Sequence, residues 1–465
     1  MTMSSKMMQR FFLVIAMLSM ACKNEAPKGF PKKIKTYALE ALSFPEEKVI
    51  IPKSMKQQFR HRFFAPWTVQ KEDYTSLMAQ LPGKDLDYLE NYLADDAWYG
   101  ENKRPHKKAI RQAIVQNALK ENFPNFIEKA IVVSHTDVRR IPSHKPGFDS
   151  FRKAGEGYPF DYFQETGLWA NTPVLLLHQT ADKQWCYVLS AIYKGWVPMK
   201  DLALVNDSFI EKWMESDFCM PLSDTLVLSN PKTYRTINAK MGMVLPYRKI
   251  DDQQKLEVMY AVADAQQKAV VFSTPIAPNL VGLDDLGFDV GHLRQLISNV
   301  LEKPYGWGGD LGNRDCSSMI RDILGTYRIW LPRDSKDQVT GEGFMEFPDD
   351  RKQKLQLIKE QGVPFLTILR KKGHNMLYVG NNDKGEPLIL HAIWGLRTNY
   401  TDASLVANIQ NYPIEGIHMD ESGTLVGRYI FGESVITSVM AGVDNDPIVE
   451  PLIDEIYGMV NVLKN

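Results

Sequence analysis

The segment Pro304-Tyr305-Gly306-Trp307-Gly308-Gly309, running through Asp310 to Arg314 into Asp315-Cys316-Ser317-Ser318, constrains this chain more than any other. Immediately after it, Met319, Ile320, Ile323 and Leu324 fall on one helical face. Cys316 therefore sits at a helix start, where unpaired backbone N–H groups and the helix dipole favour thiolate over thiol and lower its pKa. The same N–H groups can stabilise an oxyanion, and a glycine-rich approach lets the backbone come close to a bound peptide. Taken alone, the pattern fits a nucleophile and a buried cysteine capping an ordinary helix equally well.

Two downstream histidines separate these readings. A nucleophilic thiol needs a base, and the base needs an orienting partner. His374 and His391 lie 58 and 75 residues beyond Cys316. His374 opens the strand-like run Asn375 to Val379, and His391 ends the run Pro387 to Leu390. The two runs join through the turn-prone Asn381-Asn382-Asp383-Lys384-Gly385, so both histidines can converge on the helix start. His374 is the expected base and His391 the residue that fixes its ring. A zinc site could use the same three side chains. No close ligand pair such as His-x-x-x-His or Cys-x-x-Cys accompanies them, so neither a metal nor an organic cofactor is expected.

At 465 residues the chain is too long for a single hydrophobic core. Hydrophobic residues make up 44% and charged residues 24%, which is the balance of an ordered globular protein. Lys and Arg number 55 against 56 Asp and Glu, so net charge gives no support to a nucleic-acid partner. Oligomeric state is left open.

The chain changes texture along its length. From about Trp67 to Phe123 the pattern is helical, with Ile110, Ile114 and Ala118 on one stripe. Short β-rich runs then appear at Thr172 to His178, Trp185 to Leu189 and Gly195 to Pro198. Trp185-Cys186-Tyr187-Val188, followed by Tyr193-Lys194-Gly195-Trp196-Val197-Pro198, resembles the closing strands of a bacterial SH3 domain. A second block of short strands spans about Leu226 to Pro278. Leu293, Leu296, Ile297, Val300 and Leu301 predict a helix from Asp289 to Leu301, stopped by Pro304. Ile448, Leu452, Ile456 and Val460 recur every four residues and predict a terminal helix.

The N-terminus reads as an export signal, with Lys6 and Arg10 before the apolar run Phe11 to Met20. Leu18-Ser19-Met20-Ala21-Cys22 resembles a bacterial lipoprotein box, which makes Cys22 the expected site of lipidation and Lys23 to Lys33 a polar tether. An exported protein anchored to a bacterial membrane and facing the periplasm or cell surface is expected. Of four cysteines, Cys186 and Cys219 then remain as a bridge or as two buried thiols.

Tyr305-Gly306-Trp307-Gly308-Gly309, Asp315-Cys316-Ser317, Gly373-His374 with its following strand, and His391 occur in the order of the NlpC-type bacterial cell-wall cysteine peptidases, which the chain resembles. The helical segment from Phe63-Phe64-Ala65-Pro66-Trp67 onward, followed by two SH3-like blocks, is similar to one subgroup of that family. The resemblance implies an α+β fold with a papain-like catalytic domain behind two small SH3-like β-barrels and a helical N-terminal element. The expected divisions are 1–21 signal peptide, 22–125 tether and helical segment, 126–210 and 211–282 the SH3 domains, 283–440 the peptidase domain and 441–465 a tail helix.

It also implies hydrolysis of the γ-D-Glu to L-diamino acid bond in peptidoglycan-derived peptides. Members with paired SH3 domains look like dipeptidyl peptidases that demand a free N-terminal L-Ala. On this resemblance Tyr305, Asp315, Ser317, Asp334 and Ser335 fall on substrate-contact positions, with Tyr193 as a wall residue and Glu165 as a partner for the amine. The competing readings are an endopeptidase acting on intact peptidoglycan and a noncatalytic wall-binding lipoprotein.

Replacing Cys22 by Ser is expected to release the protein from membranes. Mass spectrometry of the native protein checks this, since an unmodified N-terminus elsewhere would contradict it.

Overall fold

The computed structural model describes residues 31–44, 49–153, 155, 157–230, 236–250, 255–283, 288, 290–400, 414–420, 422–446 and 448–464. The leader and Cys22 lie outside them. Short helices open the described chain: α1 (Lys53–Phe63), α2 (Ala65–Thr68), α3 (Tyr74–Gln80), α4 (Tyr88–Ala94) and α5 (Lys108–Asn117). The α1–α2 corner buries Phe63, Phe64 and Trp67 against Ile131, Ala203, Phe218 and Val244. The Phe-Phe-Ala-Pro-Trp segment is thus a wedge between the two β-domains that follow. The Trp67 indole N–H donates to the Ala130 carbonyl at 2.7 Å, so the wedge carries no orphaned polar group.

The first β-domain contains β1 (Glu128–Val132), β2 (Thr136–Arg139), β3 (Gln164–Leu168), β4 (Pro173–Gln179), β5 (Trp185–Ser190), β6 (Lys194–Pro198) and β7 (Leu202–Leu204). They form one sheet in the order β3-β2-β6-β5-β4-β1-β7. Strand alternation divides it into two cores. Val174, Leu176, Cys186, Val188 and Val197 point to one face. Leu175, Leu177, Trp185, Tyr187, Leu189 and Trp196 point to the other, where Leu89, Tyr92 and Ala118 of the helical segment cover them. This is why these strands read as continuous apolar runs. The helical stripe is only partly buried: Ala118 is enclosed, whereas Ile110 is exposed.

Helix α6 (Asp207–Glu215) leads into the second β-domain, made of β8 (Asp217–Pro221), β9 (Val227–Ser229), β10 (Thr236–Asn238), β11 (Leu245–Ile250), β12 (Lys255–Ala263), β13 (Ala269–Ile276) and β14 (Val281–Gly282). Its main sheet runs β13-β12-β11-β8-β14, with β9 and β10 as a separate ribbon. Cys219 belongs to this domain's core and Cys186 to that of the first domain. Neither forms a disulfide, which closes the question of a bridge between them.

The third unit packs α7 (Val290–Val300) and α8 (Cys316–Gly325) on a sheet of β15 (Phe344–Glu346), β16 (Thr367–Lys371), β17 (His374–Asn381), β18 (Pro387–Tyr400), β19 (Ile414–Met419), β20 (Leu425–Ser438) and β21 (Ile456–Asn461). The order is β15-β21-β16-β17-β18-β20-β19. Leu377, Val379, Leu388, Leu390 and Ala392 face α7 and α8. Met376, Tyr378, Ile389 and Ile393 face the opposite core, closed by Ile358 of α9 (Arg351–Gln361) and by Val449, Leu452 and Ile453.

Two expectations are corrected here. The tail is not a helix: α10 (Leu452–Glu455) is a single turn, and β21 enters the sheet between β15 and β16. The four-residue spacing reads as a helical stripe, but in the strand a bulge opposite Arg370 and Lys371 sends Ile456 into the core with Val449 and Leu452, and Val460 into the α7–α8 core. The tail therefore belongs to the peptidase-like unit. Likewise the Lys23 to Lys33 segment is docked at its end, because the Lys32 amide donates to the Asn445 side chain at 2.5 Å and the Lys32 carbonyl accepts from it at 3.0 Å.

Trp67→Ala should destabilise the folded chain by about 3–5 kcal/mol, since it empties a buried indole site and strands the Ala130 carbonyl. Urea unfolding checks this, and Trp67→Phe should cost distinctly less.

Candidate active site

Helix α8 begins at Cys316 because Asp315 caps it. The Asp315 carboxylate accepts from the Ser318 amide at 2.9 Å, and the Ser318 hydroxyl accepts from the Asp315 amide at 2.9 Å. Three of the glycines before it, Gly308, Gly309 and Gly312, adopt positive φ of 58°, 85° and 69°. At Gly309 a Cβ would lie 2.7 Å from the Gly167 amide nitrogen on β3, so only glycine lets the lead-in meet the first β-domain. Gln164 completes this contact by donating to the Gly308 carbonyl at 3.1 Å.

The nucleophile's cap is held by Arg333. Its Nη2 donates to Asp315 Oδ2 at 2.5 Å, its Nη1 donates to Ser317 Oγ at 2.9 Å, and its Nε donates to Thr166 Oγ1 of β3 at 2.6 Å. Burial works against the Asp315 carboxylate, yet Arg333 and the capping bonds hold its pKa below the usual carboxylate range. Asp315 and Ser317 are thus tied into an internal network as well as flanking Cys316.

Hairpin β17–β18 brings the histidines together, with His374 Nε2 and His391 Nδ1 3.0 Å apart. The other nitrogen of His391 lies 3.2 Å from Thr437 Oγ1 on β20. Each imidazole therefore uses a ring nitrogen on its neighbour, which is a line of hydrogen bonds and not the convergence of a metal site. Among the described residues no cluster of three or more His, Cys, Asp or Glu could hold a metal ion. That line of hydrogen bonds leaves the Nδ1 of His374 as its outer nitrogen. The amide of Asn375, the next residue, faces the Cys316 sulfur. The Asn375 side chain donates to the Ser335 carbonyl at 2.8 Å and accepts from Arg370 at 3.0 Å, which braces this end of β17.

The thiol differs from its sequence-based expectation. Cys316 is 6% exposed, and burial, reinforced by the adjacent Asp315 carboxylate, pushes its pKa up to about 11. The Asn375 amide and Arg333 oppose this without overcoming it. Burial, followed by the His391, Lys371 and Arg370 charges, holds His374 well below its ordinary value, and burial takes His391 down to about 3. Burial thus works against the charged form of all three groups.

The remaining expected residues line one side of this centre. Tyr305 is half-buried, and its phenol feels the fields of Cys316 and Asp315. From the first β-domain, the Tyr193 hydroxyl donates to Glu165 Oε2 at 2.5 Å, while Arg140 pairs with Glu165 Oε1. Asp334 is half-buried, with its pKa raised by burial and by the neighbouring Asp337, Glu165 and Asp315 carboxylates against the pull of Arg333. Its carboxylate takes no hydrogen bond from the described residues. Ser335 follows it in the same turn. Phe160 of the first β-domain closes the outer wall, 5.2 Å from Trp307 and 5.3 Å from Trp394 between ring centroids.

Sequence reasoning did not assign roles to Arg333, Thr166, Arg140 or Thr437. Arg333 was in view beside Asp334. The others carry no local signal, because each acts through a residue distant in sequence.

Comparisons with known proteins bear on this geometry. The NlpC/P60 family profile matches residues 302–399, which contain Cys316, His374 and His391. The catalytic domain belongs to the NlpC/P60 family. The profile for an N-terminal NLPC_P60 stabilising domain matches residues 11–123, and that for an SH3 domain of SH3b1 type matches residues 146–198. No curated protein matches the chain. A solved NlpC/P60 endopeptidase from Photobacterium damselae subsp. piscicida is similar over 93% of this chain and 98% of that one, at 23% identity and a TM-score of 0.76, which shows a shared fold. An NlpC/P60 family protein from Bacillus cereus ATCC 10987 aligns over 64% of this chain and 82% of that one, at 19% identity and a TM-score of 0.42, and carries no argument. An NlpC/P60 domain joined to an SH3b domain makes this chain a cysteine peptidase with a cell-wall role. Among the described residues no helix is long and apolar enough to cross a membrane.

A thiol midpoint near 11 means that alkylation of Cys316 by iodoacetamide should still be rising at about pH 9. Mass spectrometry of the Cys316 peptide reads the rate, and a plateau already at about pH 7 would show a resting thiolate instead.

Proposed function

We propose that this NlpC/P60 protein is a γ-D-glutamyl-L-diamino acid peptidase that acts on released peptidoglycan peptides bearing a free N-terminal L-Ala. We further read residues 211–282 as the second SH3-like domain and Cys22 as the lipid anchor. The observation that carries the substrate reading is the Asp334 carboxylate, half-buried and without a hydrogen-bond partner among the described residues. An unpaired carboxylate in a partly desolvated wall is costly unless a cation completes it. A free L-Ala ammonium is such a cation. Glu165, the other candidate, already has Arg140 and Tyr193 as partners, which makes it a support for the wall before it is an amine ligand.

The chemistry follows from the hydrogen-bond line. His374 Nδ1 takes the Cys316 proton as sulfur attacks the γ-carbonyl carbon. In the tautomers this requires, its Nε2–H donates to His391 Nδ1 and His391 Nε2–H donates to Thr437 Oγ1, which holds both rings in line. The amides at the start of α8 receive the oxyanion. His374 then protonates the departing diamino-acid amine, leaving an acyl-enzyme on Cys316. Water attacks this ester as His374 accepts its proton, and the L-Ala-γ-D-Glu acid and the free thiol are released. A neutral resting pair suits this sequence, because charge separates only when substrate is in place.

In intact wall the L-Ala nitrogen is an uncharged amide, which would leave Asp334 unpaired. Losing a buried charge pair costs about 2–5 kcal/mol, or a selectivity of tens to thousands. L-Ala-γ-D-Glu-L-Lys should therefore be cut with a kcat/KM at least tens of times that of its N-acetylated form. Asp334→Asn should erase most of the difference, and Cys316→Ala should abolish turnover of both without unfolding the chain. Equal specificity constants on the two peptides would favour an endopeptidase of intact wall, and undiminished discrimination in Asp334→Asn would move the amine role to Glu165.

A further inference from the structure

We propose that Thr166, on β3 of the first β-domain, is a positioning residue for the nucleophile, acting through Arg333 on Asp315 and Ser317. This rests on Cys316 being the nucleophile but not on which peptide is cut.

The Arg333 guanidinium is 5% exposed and has donors engaged in two directions. One edge grips Asp315 and Ser317, the residues on either side of Cys316. The other, through Nε, reaches the Thr166 hydroxyl, which is itself 1% exposed and in turn donates to the Gly167 carbonyl at 3.3 Å. A planar fork anchored at both ends has one orientation. With the Thr166 end released, the guanidinium can rotate about its side-chain bonds, and the bonds to Asp315 at 2.5 and 3.3 Å lose their common plane.

The consequence falls on sulfur. The groups acting on Cys316 are the Asp315 carboxylate, which disfavours the thiolate, Arg333 and the Asn375 and Ser317 amides, which favour it, and the Tyr305 phenol, with His374 of β17 the base assigned by the proposed function. Arg333 is the cation that offsets Asp315. Any loosening of Arg333 leaves the Asp315 field less compensated and makes the thiolate harder to form. The first β-domain thereby does more than wall the groove: its β3 hydroxyl sets the charge balance beside the reacting atom. Without that domain docked, Arg333 has no partner at Nε, which couples docking to thiol reactivity.

Thr166→Val preserves shape while removing the acceptor, and Thr166→Ser restores it. Full-length Thr166→Val is expected to show kcat/KM reduced about tenfold or more, mainly in kcat. Its Cys316 alkylation midpoint should move upward by about half a pH unit or more, while Thr166→Ser stays close to wild type in both. A merely structural contact would alter stability and leave the alkylation midpoint in place, and that result would overturn the proposal. Should Thr166→Val fail to fold by circular dichroism, Arg333→Lys decides. A single ammonium cannot bridge Thr166 and the Asp315 carboxylate together, so the midpoint must again rise, and an unchanged midpoint would refute the coupling. Alkylation needs no substrate, so it can succeed even where the N-acetyl comparison defeats the free-amine reading.

Discussion

The rest of this structure depends on one buried guanidinium. Arg333 bonds Asp315 and Ser317 beside the helix start and Thr166 on a different domain, so acceptors 16, 18 and 167 residues away in sequence share one set of donors. Burying that charge is tolerable only because Asp315 balances it and every engaged donor has an acceptor. Asp315 in turn can cap α8 as a carboxylate, and α8 can begin at Cys316, because Arg333 keeps the capping group ionised. The helix start, the nucleophile's position and the docking of the first β-domain are therefore parts of one electrostatic arrangement.

Burial decides the protonation of the centre. A helix start lowers a thiol's pKa when water and N–H groups surround it, but here Cys316 is buried beside the Asp315 carboxylate and near the Tyr305 phenol. Desolvation outweighs the dipole, and the histidines are neutral for the same reason. The site keeps its charges latent, and separation of charge becomes favourable only when an oxyanion and a departing amine are present to be stabilised.

The domains also divide their labour physically. The helical segment cannot bury its apolar face alone, so it covers the outer face of the first β-sheet and drives Phe64 and Trp67 between the two β-domains. The sheet so braced presents β3 to the glycine-rich lead-in and Glu165, Tyr193 and Phe160 to the groove. A network from Tyr88 through Arg140 and Glu165 to Tyr193 links the helical segment to the groove wall. The catalytic unit is in this sense completed by residues that lie outside it.

Much of this was legible in the chain itself. Cys316 at a helix start and His374 and His391 on two neighbouring strands follow from periodicity, glycine placement and turn residues, which are local properties, whereas Phe63 to Trp67 entered through the family resemblance and became a wedge only in the packed structure. The tail misled because its four-residue apolar spacing is that of a helical stripe, whereas the strand that pairs between β15 and β16 carries Ile456 and Val460 into cores on opposite sides of the sheet. Tertiary structure alone decided that Arg333 reaches Thr166, that Glu165 is already paired while Asp334 is not, and that the thiol is raised and not lowered. Each of these depends on which distant groups exclude water from a side chain or supply its hydrogen bonds. Residue types along a chain set what chemistry a side chain can do, while desolvation and long-range pairing, which exist only after folding, set which of it is done.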